Sequence, residues 1–212
     1  FIDNSLFFET PINVFYSRRI GDYVKYNNIN IRTELNTAVK YTSKINNYNY
    51  GLLFAYTNPK DNDLIDNNIY STIFRINKSI INNNFKIGFI GTNYSYEYKK
   101  SNVYGLDYVL TFLDKKLIIN SQSILSDNSL DKGYGLNFNL NYRTDVFSVF
   151  NNNDLFLDFW IKNNQYDKSL DIDDLGYLFR NNLKEINLGF SINNYKSLNK
   201  SKYVIQYYKA EN

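Results

Sequence analysis

The chain has 212 residues, 43% hydrophobic and 18% aromatic, with a net charge of +3; that composition supports one large packed domain and excludes a disordered chain. It holds no Cys, no His and no Met, which removes disulfides, thiolate zinc sites, cysteine nucleophiles and the commonest general base. Its basic residues are scattered singly or in pairs such as Lys99-Lys100 and Lys115-Lys116, without the stripe that nucleic acid demands, and no apolar run reaches the roughly 18 residues of a membrane-spanning helix.

In chain order, the first feature is NVFYSRRIGDY, residues 13 to 23, where two arginines stand side by side in an aromatic run. Taken as extended chain, it sends Arg18 and Arg19 to opposite faces. Strands then follow near 32 to 42, at 48 to 57, near 69 to 78 and 85 to 94, at 103 to 112, near 116 to 126, at 133 to 143, and near 154 to 162, 184 to 195 and 202 to 209. Each is read from period-two alternation. In GYGLNFNLNYR, for example, Tyr134, Leu136, Phe138, Leu140 and Tyr142 share one face, and Gly135, Asn137, Asn139 and Asn141 the other. The breaks carry turn chemistry: SKINN (43 to 47), NPKDNDLIDNN (58 to 68), INNN (81 to 84), LDKK (113 to 116), SDNSLDK (126 to 132) and NNQYDKSLDIDD (163 to 174). No window has helical period, and no linker divides residues 1 to 212.

Soluble sandwich strands run about five or six residues, whereas membrane-barrel strands need about 9 to 11. The segments here are mostly of the second length. Their apolar rows also place aromatic residues at both ends with aliphatics between, as in Tyr48, Tyr50, Leu52, Phe54 and Tyr56, the order of two interfacial girdles around a hydrocarbon band. The expected fold is therefore all-β: an antiparallel transmembrane β-barrel, or part of one, with about ten long meander strands, short turns and longer loops. Tyr48, Tyr50, Phe54, Tyr56, Tyr104, Tyr108, Tyr134, Phe138 and Tyr142 are the expected lipid-facing and girdle residues. The opposite face, small or polar, reads as a wet or protein-filled lumen. A soluble β-sandwich or barrel with one solvated face gives similar alternation and stands as the alternative.

The phrases LFFETPINVFYSRRIG, YNYGLLFAYTN, NFKIGFIGTNY, NVYGLDYVLTFL and DIDDLGYLFRNN occur here in that order. Together they resemble a family of Gram-negative outer-membrane proteins in which an exported domain, similar to family-9 carbohydrate-binding modules, is followed by a large β-barrel of unknown function. The resemblance runs from about Leu6 to Tyr195 and covers the barrel portion alone. It implies a fragment of a larger barrel in the outer membrane, serving as pore, wall or anchor of a polysaccharide-related surface protein. Its implied partners are outer-membrane lipid, carbohydrate and the rest of a longer chain. A carbohydrate-active protein using the lumen or loops is one alternative, and a soluble β-rich binding protein another. The absence of Met independently suggests that Phe1 is no native start.

Arg18 and Arg19, with Glu34, Lys40, Arg75, Lys86 and Asp107, form the expected lumenal polar set. An outward Arg costs about 2 to 4 kcal/mol at the bilayer midplane, so the arginines belong at a rim or inside. Structural pairing with a carboxylate such as Glu34 or Asp107 is favoured over a ligand-binding role. Asp171, Asp173 and Asp174 gather before a strand, but the twelfth place of a calcium loop holds Asn182 in place of Glu. A solvated turn is expected there, with no metal and no cofactor. Glycoside hydrolysis needs two carboxylates flanking one bond; Glu9, Glu34, Glu97, Glu185 and Glu211 are scattered, and no catalytic residue is assigned.

Overall fold

The computed structural model describes residues 7–26, 29–59, 68–82, 84–96, 99–129, 131–149, 153–194 and 202–211. Twelve antiparallel strands form one sheet: β1 (Tyr23–Tyr26), β2 (Ile29–Ile45), β3 (Tyr48–Pro59), β4 (Ile69–Ile80), β5 (Phe85–Tyr96), β6 (Lys99–Phe112), β7 (Leu117–Asn128), β8 (Lys132–Arg143), β9 (Phe147–Val149), β10 (Asn153–Tyr166), β11 (Leu183–Asn194) and β12 (Lys202–Glu211). Sequence neighbours are sheet neighbours from β1 to β8, then come β10, β11 and β12, while β9 pairs with β10. Among the described residues β1 pairs only with β2, and β12 only with β11, so the sheet is open. Tight turns take left-handed backbone at Asn46, Ile81, Asn82 and Leu113; Asn is suited to that conformation, since its short polar side chain bonds locally.

The register sorts the side chains onto two faces of different chemistry. Tyr41 pairs with Leu52, Leu52 with Phe74, Phe74 with Gly91, Gly91 with Tyr104, Tyr104 with Leu125, and Leu125 with Tyr134. That face is apolar and no described segment covers it: Leu52 is 45% exposed, Leu106 52% and Tyr134 63%. On the other face Leu53, Ala55, Ile73 and Ile90 are fully buried.

Two segments outside the sheet make this second face a core. Residues 7–22 contribute Phe8, Ile12, Val14 and Phe15, and residues 167–182 contribute Leu170, Ile172 and Leu175. Each such side chain is stabilised by about 1.5 to 3 kcal/mol on leaving water. Glycines let the covering chain come close. A Cβ on Gly133 would lie 2.3 Å from Leu170 N, and one on Gly51 would lie 2.8 Å from Phe8 Cζ.

Three expectations need correction. Arg18 and Arg19 do not lie on a strand, because Ser17–Arg19 is a 3-10 turn that ends in Gly21 at φ +80°. Glu34 faces the open side rather than the covered one. A register shift between Leu35 and Thr37 inserts Asn36 and reverses the parity of β2 below it, leaving Glu34 opposite Asn58. The acid-rich stretch is a turn with Asp171 and Asp173 exposed, but it is not wholly solvated, since Leu170 and Ile172 within it are each 1% exposed. Residues 60–67 of the break read at 58 to 68, as well as Glu97 and Tyr195, lie outside the described residues.

Candidate functional site

The covering segments fold against each other as well as against the sheet. Tyr16 N–H donates to Leu175 O at 2.6 Å and Tyr177 N–H to Asn13 O at 2.8 Å, a short two-strand clasp with Gly176 at its centre. A Cβ there would meet Asn13 O at 2.7 Å, so glycine is what lets the backbones approach. Arg19 closes the clasp, its Nε donating to Gly176 O at 3.3 Å and its guanidinium lying 3.9 Å from Asp173. Its carboxylate partner is thus Asp173, not Glu34 or Asp107. Arg18 is exposed, its guanidinium carbon 6.0 Å from the Tyr16 ring centroid.

Side chains of the sheet hold the clasp down. Gln122, 1% exposed, accepts from Ile12 N–H at 2.5 Å. Lys99 reaches Asp174 at 2.5 Å, Ser126 Oγ accepts from Asp171 N–H at 3.2 Å, and Asn128 donates to Asp171 at 3.0 Å. The three aspartates therefore point to different partners. Among the described residues no three His, Cys, Asp or Glu side chains group as a cation site. Burial, with Asp171 and Asp174 nearby, holds the Asp173 carboxyl above the ordinary carboxylate range, against the opposing Leu178 N–H and Arg19.

Beneath the cover lies the Arg75–Asp107 ion pair, bidentate at 2.5 and 2.9 Å and almost wholly buried. It spans β4 and β6, and Gly88 of β5 lies between them: a Cβ there would come 2.6 Å from the guanidinium nitrogens. Two like-sized buried charges tolerate such a site only when their geometry is good. Among the described residues the cover reaches as far as the Phe8 ring, over which Lys40 stands at 5.9 Å. Beyond it the same face carries exposed Lys86 and a chain of amides: Asn139 donates to Asn120 and Asn137, Asn137 to Asn164, and Asn164 to Glu185. Arg75, Asp107, Lys40 and Lys86 thus share one face, and Glu34 does not.

The register puts Tyr48, Tyr50, Phe54, Tyr56, Tyr104, Tyr108, Tyr134, Phe138 and Tyr142 together on the open face. Tyr48 and Tyr50 stack at 6.0 Å, Tyr56 and Tyr70 at 5.6 Å, and Tyr142 and Phe159 at 6.1 Å. Gln122 and the buried Leu170, Ile172 and Leu175 are not among the residues expected from the sequence. The last three were signalled by apolar residues spaced through an acidic loop, a pattern the aspartates masked.

Between the sheet and the covering segments is a cavity of about 810 Å³, walled by β1, the near ends of β2 to β6, and both segments. Its lining mixes rings, hydroxyls and charges of both signs. Comparison with known proteins gave no matching family model, no matching curated protein and no matching solved structure.

Proposed function

We propose that this chain is wall and anchor of an outer-membrane β-barrel whose interior is filled by residues 7–22 and 167–182, within a larger polysaccharide-related surface protein. The observation that carries the reading is the inverted sidedness of the sheet. Its uncovered face bears Leu52, Phe74, Leu106 and Tyr134, while Arg75, Asp107 and Gln122 are buried on the other. In water, an apolar surface larger than a few hundred Å² is an association or aggregation hazard; in hydrocarbon it is solvated, and polar groups turn inward. Strand lengths of 12 residues in β3, β4, β5, β7 and β8 meet the about 9 to 11 that a tilted crossing requires. The five ordered phrases resembling the outer-membrane family point the same way. A wall or anchor is favoured over an open pore because the covering segments are packed to near-complete burial at Phe8, Val14 and Leu170.

The single tryptophan supplies the test. Trp160 lies on the inward-facing register of β10, pairing with Asn141 and Gly189, and its Nε1 donates to Asn187 at 3.1 Å. Refolded into vesicles containing brominated acyl chains, the native chain should keep most of its fluorescence. The variant Trp160→Phe with Phe138→Trp should be strongly quenched. Equal quenching of the two, or a monomer that stays in buffer and ignores the vesicles, would remove the membrane reading.

A further inference from the structure

We infer that the 810 Å³ cavity between the covering segments and the sheet is a binding site for a short neutral oligosaccharide. Its volume falls in the range of about 300 to 1,000 Å³ typical of small-molecule sites. All its walls belong to this chain, so the inference stands apart from whether the open face meets lipid.

The ligand class follows from what the walls offer. Charges of both signs line it: Arg19 pairs with Asp173 at 3.9 Å and Lys99 with Asp174 at 2.5 Å, and Asp22, Asp171 and Arg180 stand beside these pairs. An anionic ligand would meet both carboxylates of these pairs, and a cationic one both bases. An apolar ligand would strip water from all four without replacing their hydrogen bonds. A hydroxyl is donor and acceptor at once, so neighbouring hydroxyls on a sugar ring can bridge an acid and a base side by side.

Two further features single out a polyol. Asp174 Oδ1 takes Lys99, but its Oδ2 is buried without a hydrogen-bond partner among the described residues. A buried acceptor left so is unfavourable by about 1 to 3 kcal/mol, and a ligand hydroxyl would satisfy it. The cavity also borders two rings held in solvent, Tyr23 at 61% and Phe179 at 88% exposure. Neither is used in the packing of the core. Exposed aromatic faces beside hydrogen-bonding groups suit the apolar C–H face of a pyranose, much as rings combine an apolar body with a polar neighbourhood at other interfaces.

The test uses the 212-residue chain refolded in a non-glycosidic detergent and titrated by calorimetry with a panel of neutral di- to tetrasaccharides, and with inorganic phosphate and spermine. At least one neutral saccharide should bind saturably at one site. Phe179→Ala, whose side chain is exposed, should keep the native melting temperature and weaken that binding about tenfold, equivalent to about 1.4 kcal/mol. Asp174→Asn, checked by the same melt, should weaken it as well. Silence across the saccharide panel, binding of phosphate or spermine in its place, or saccharide binding indifferent to Phe179→Ala would each overturn the inference.

Discussion

Gln122 and Ile12 lie 110 residues apart and share one hydrogen bond, from the Ile12 N–H to the Gln122 side-chain oxygen at 2.5 Å. It is one point at which the sheet grips the first covering segment by a polar bond, Thr33 Oγ1 donating to Asp22 O being another. Gln122→Leu keeps the volume but orphans the Ile12 N–H, while also removing an amide nitrogen that has no partner among the described residues. The loss should be about 1 kcal/mol, the lower part of the usual range for an orphaned buried donor. Urea unfolding measures it, and limited proteolysis should show residues 7–22 cut earlier than in the parent.

Gly51 and Gly91 make a matched pair, because one lies under the cover and the other on the open face. Gly51→Ala would drive a Cβ into the Phe8 ring, whereas at Gly91 the nearest atoms are at an ordinary 3.6 Å. The first should be destabilising by about 1 to 3 kcal/mol through overpacking. The second should be neutral or slightly stabilising, since glycine weakens a strand by roughly 0.5 to 1 kcal/mol relative to alanine. Equal effects in thermal melts would mean that Phe8 does not sit where the structure puts it.

The Arg75–Asp107 pair should behave as a unit. Asp107→Ala leaves a buried guanidinium without its partner and should remove about 3 to 5 kcal/mol. Replacing both, as Arg75→Met with Asp107→Leu, should recover most of the loss. A double mutant as unstable as the single would show that the guanidinium has other work in the fold.

On the open face, Leu106→Arg should impair refolding into vesicles by about 2 to 4 kcal/mol if the residue is near the bilayer midplane. Asn141→Arg, on the exposed part of the opposite face, should be tolerated. The ratio of folded to unfolded bands in cold electrophoresis reads the difference. Similar yields would leave the open face without a claim on lipid.

Protonation of Asp173 gives a pH signature. A carboxyl whose folded-state value is raised contributes its full stability below the unfolded carboxylate range and loses it as pH rises through the raised value. The clasp between residues 13–16 and 175–177 should therefore resist protease better in mildly acidic buffer than at neutrality. Asp173→Asn should flatten that slope. The side chain is 57% exposed, so the effect is small and screened by salt.

Periodicity decides how much of this fold is legible in the sequence. The ten long strands are legible because alternation persists along each of them, as over the nine residues from Tyr134 to Tyr142. β1 and β9, at four and three residues, are too short to show any period. Glu34 went to the wrong face because a single inserted residue, Asn36, inverts every side chain beyond it, and a bulge leaves no mark on composition. Arg18 and Arg19 were misplaced because the aromatic run before them looked extended, though Gly21 was already a sign of a turn. Among the site residues, Arg75 and Asp107 were found by face, while the partnership between them lay in cross-strand geometry across β5 that no spacing in the sequence expresses.

The clasp also dictates an order of events. Arg19 binds a carbonyl 157 residues further along the chain, and the Tyr16 N–H has no partner until Leu175 arrives. During synthesis, then, residues 13–16 must wait through β1 to β10 before they can be fastened. Closing so long a loop adds entropy cost only slowly with length, but contacts of such separation retard folding. Seating of Asn13 to Tyr16 against Leu175 to Tyr177 is accordingly a late, slow step, and residues 13–16 reach their places only after β1 to β10 have been made.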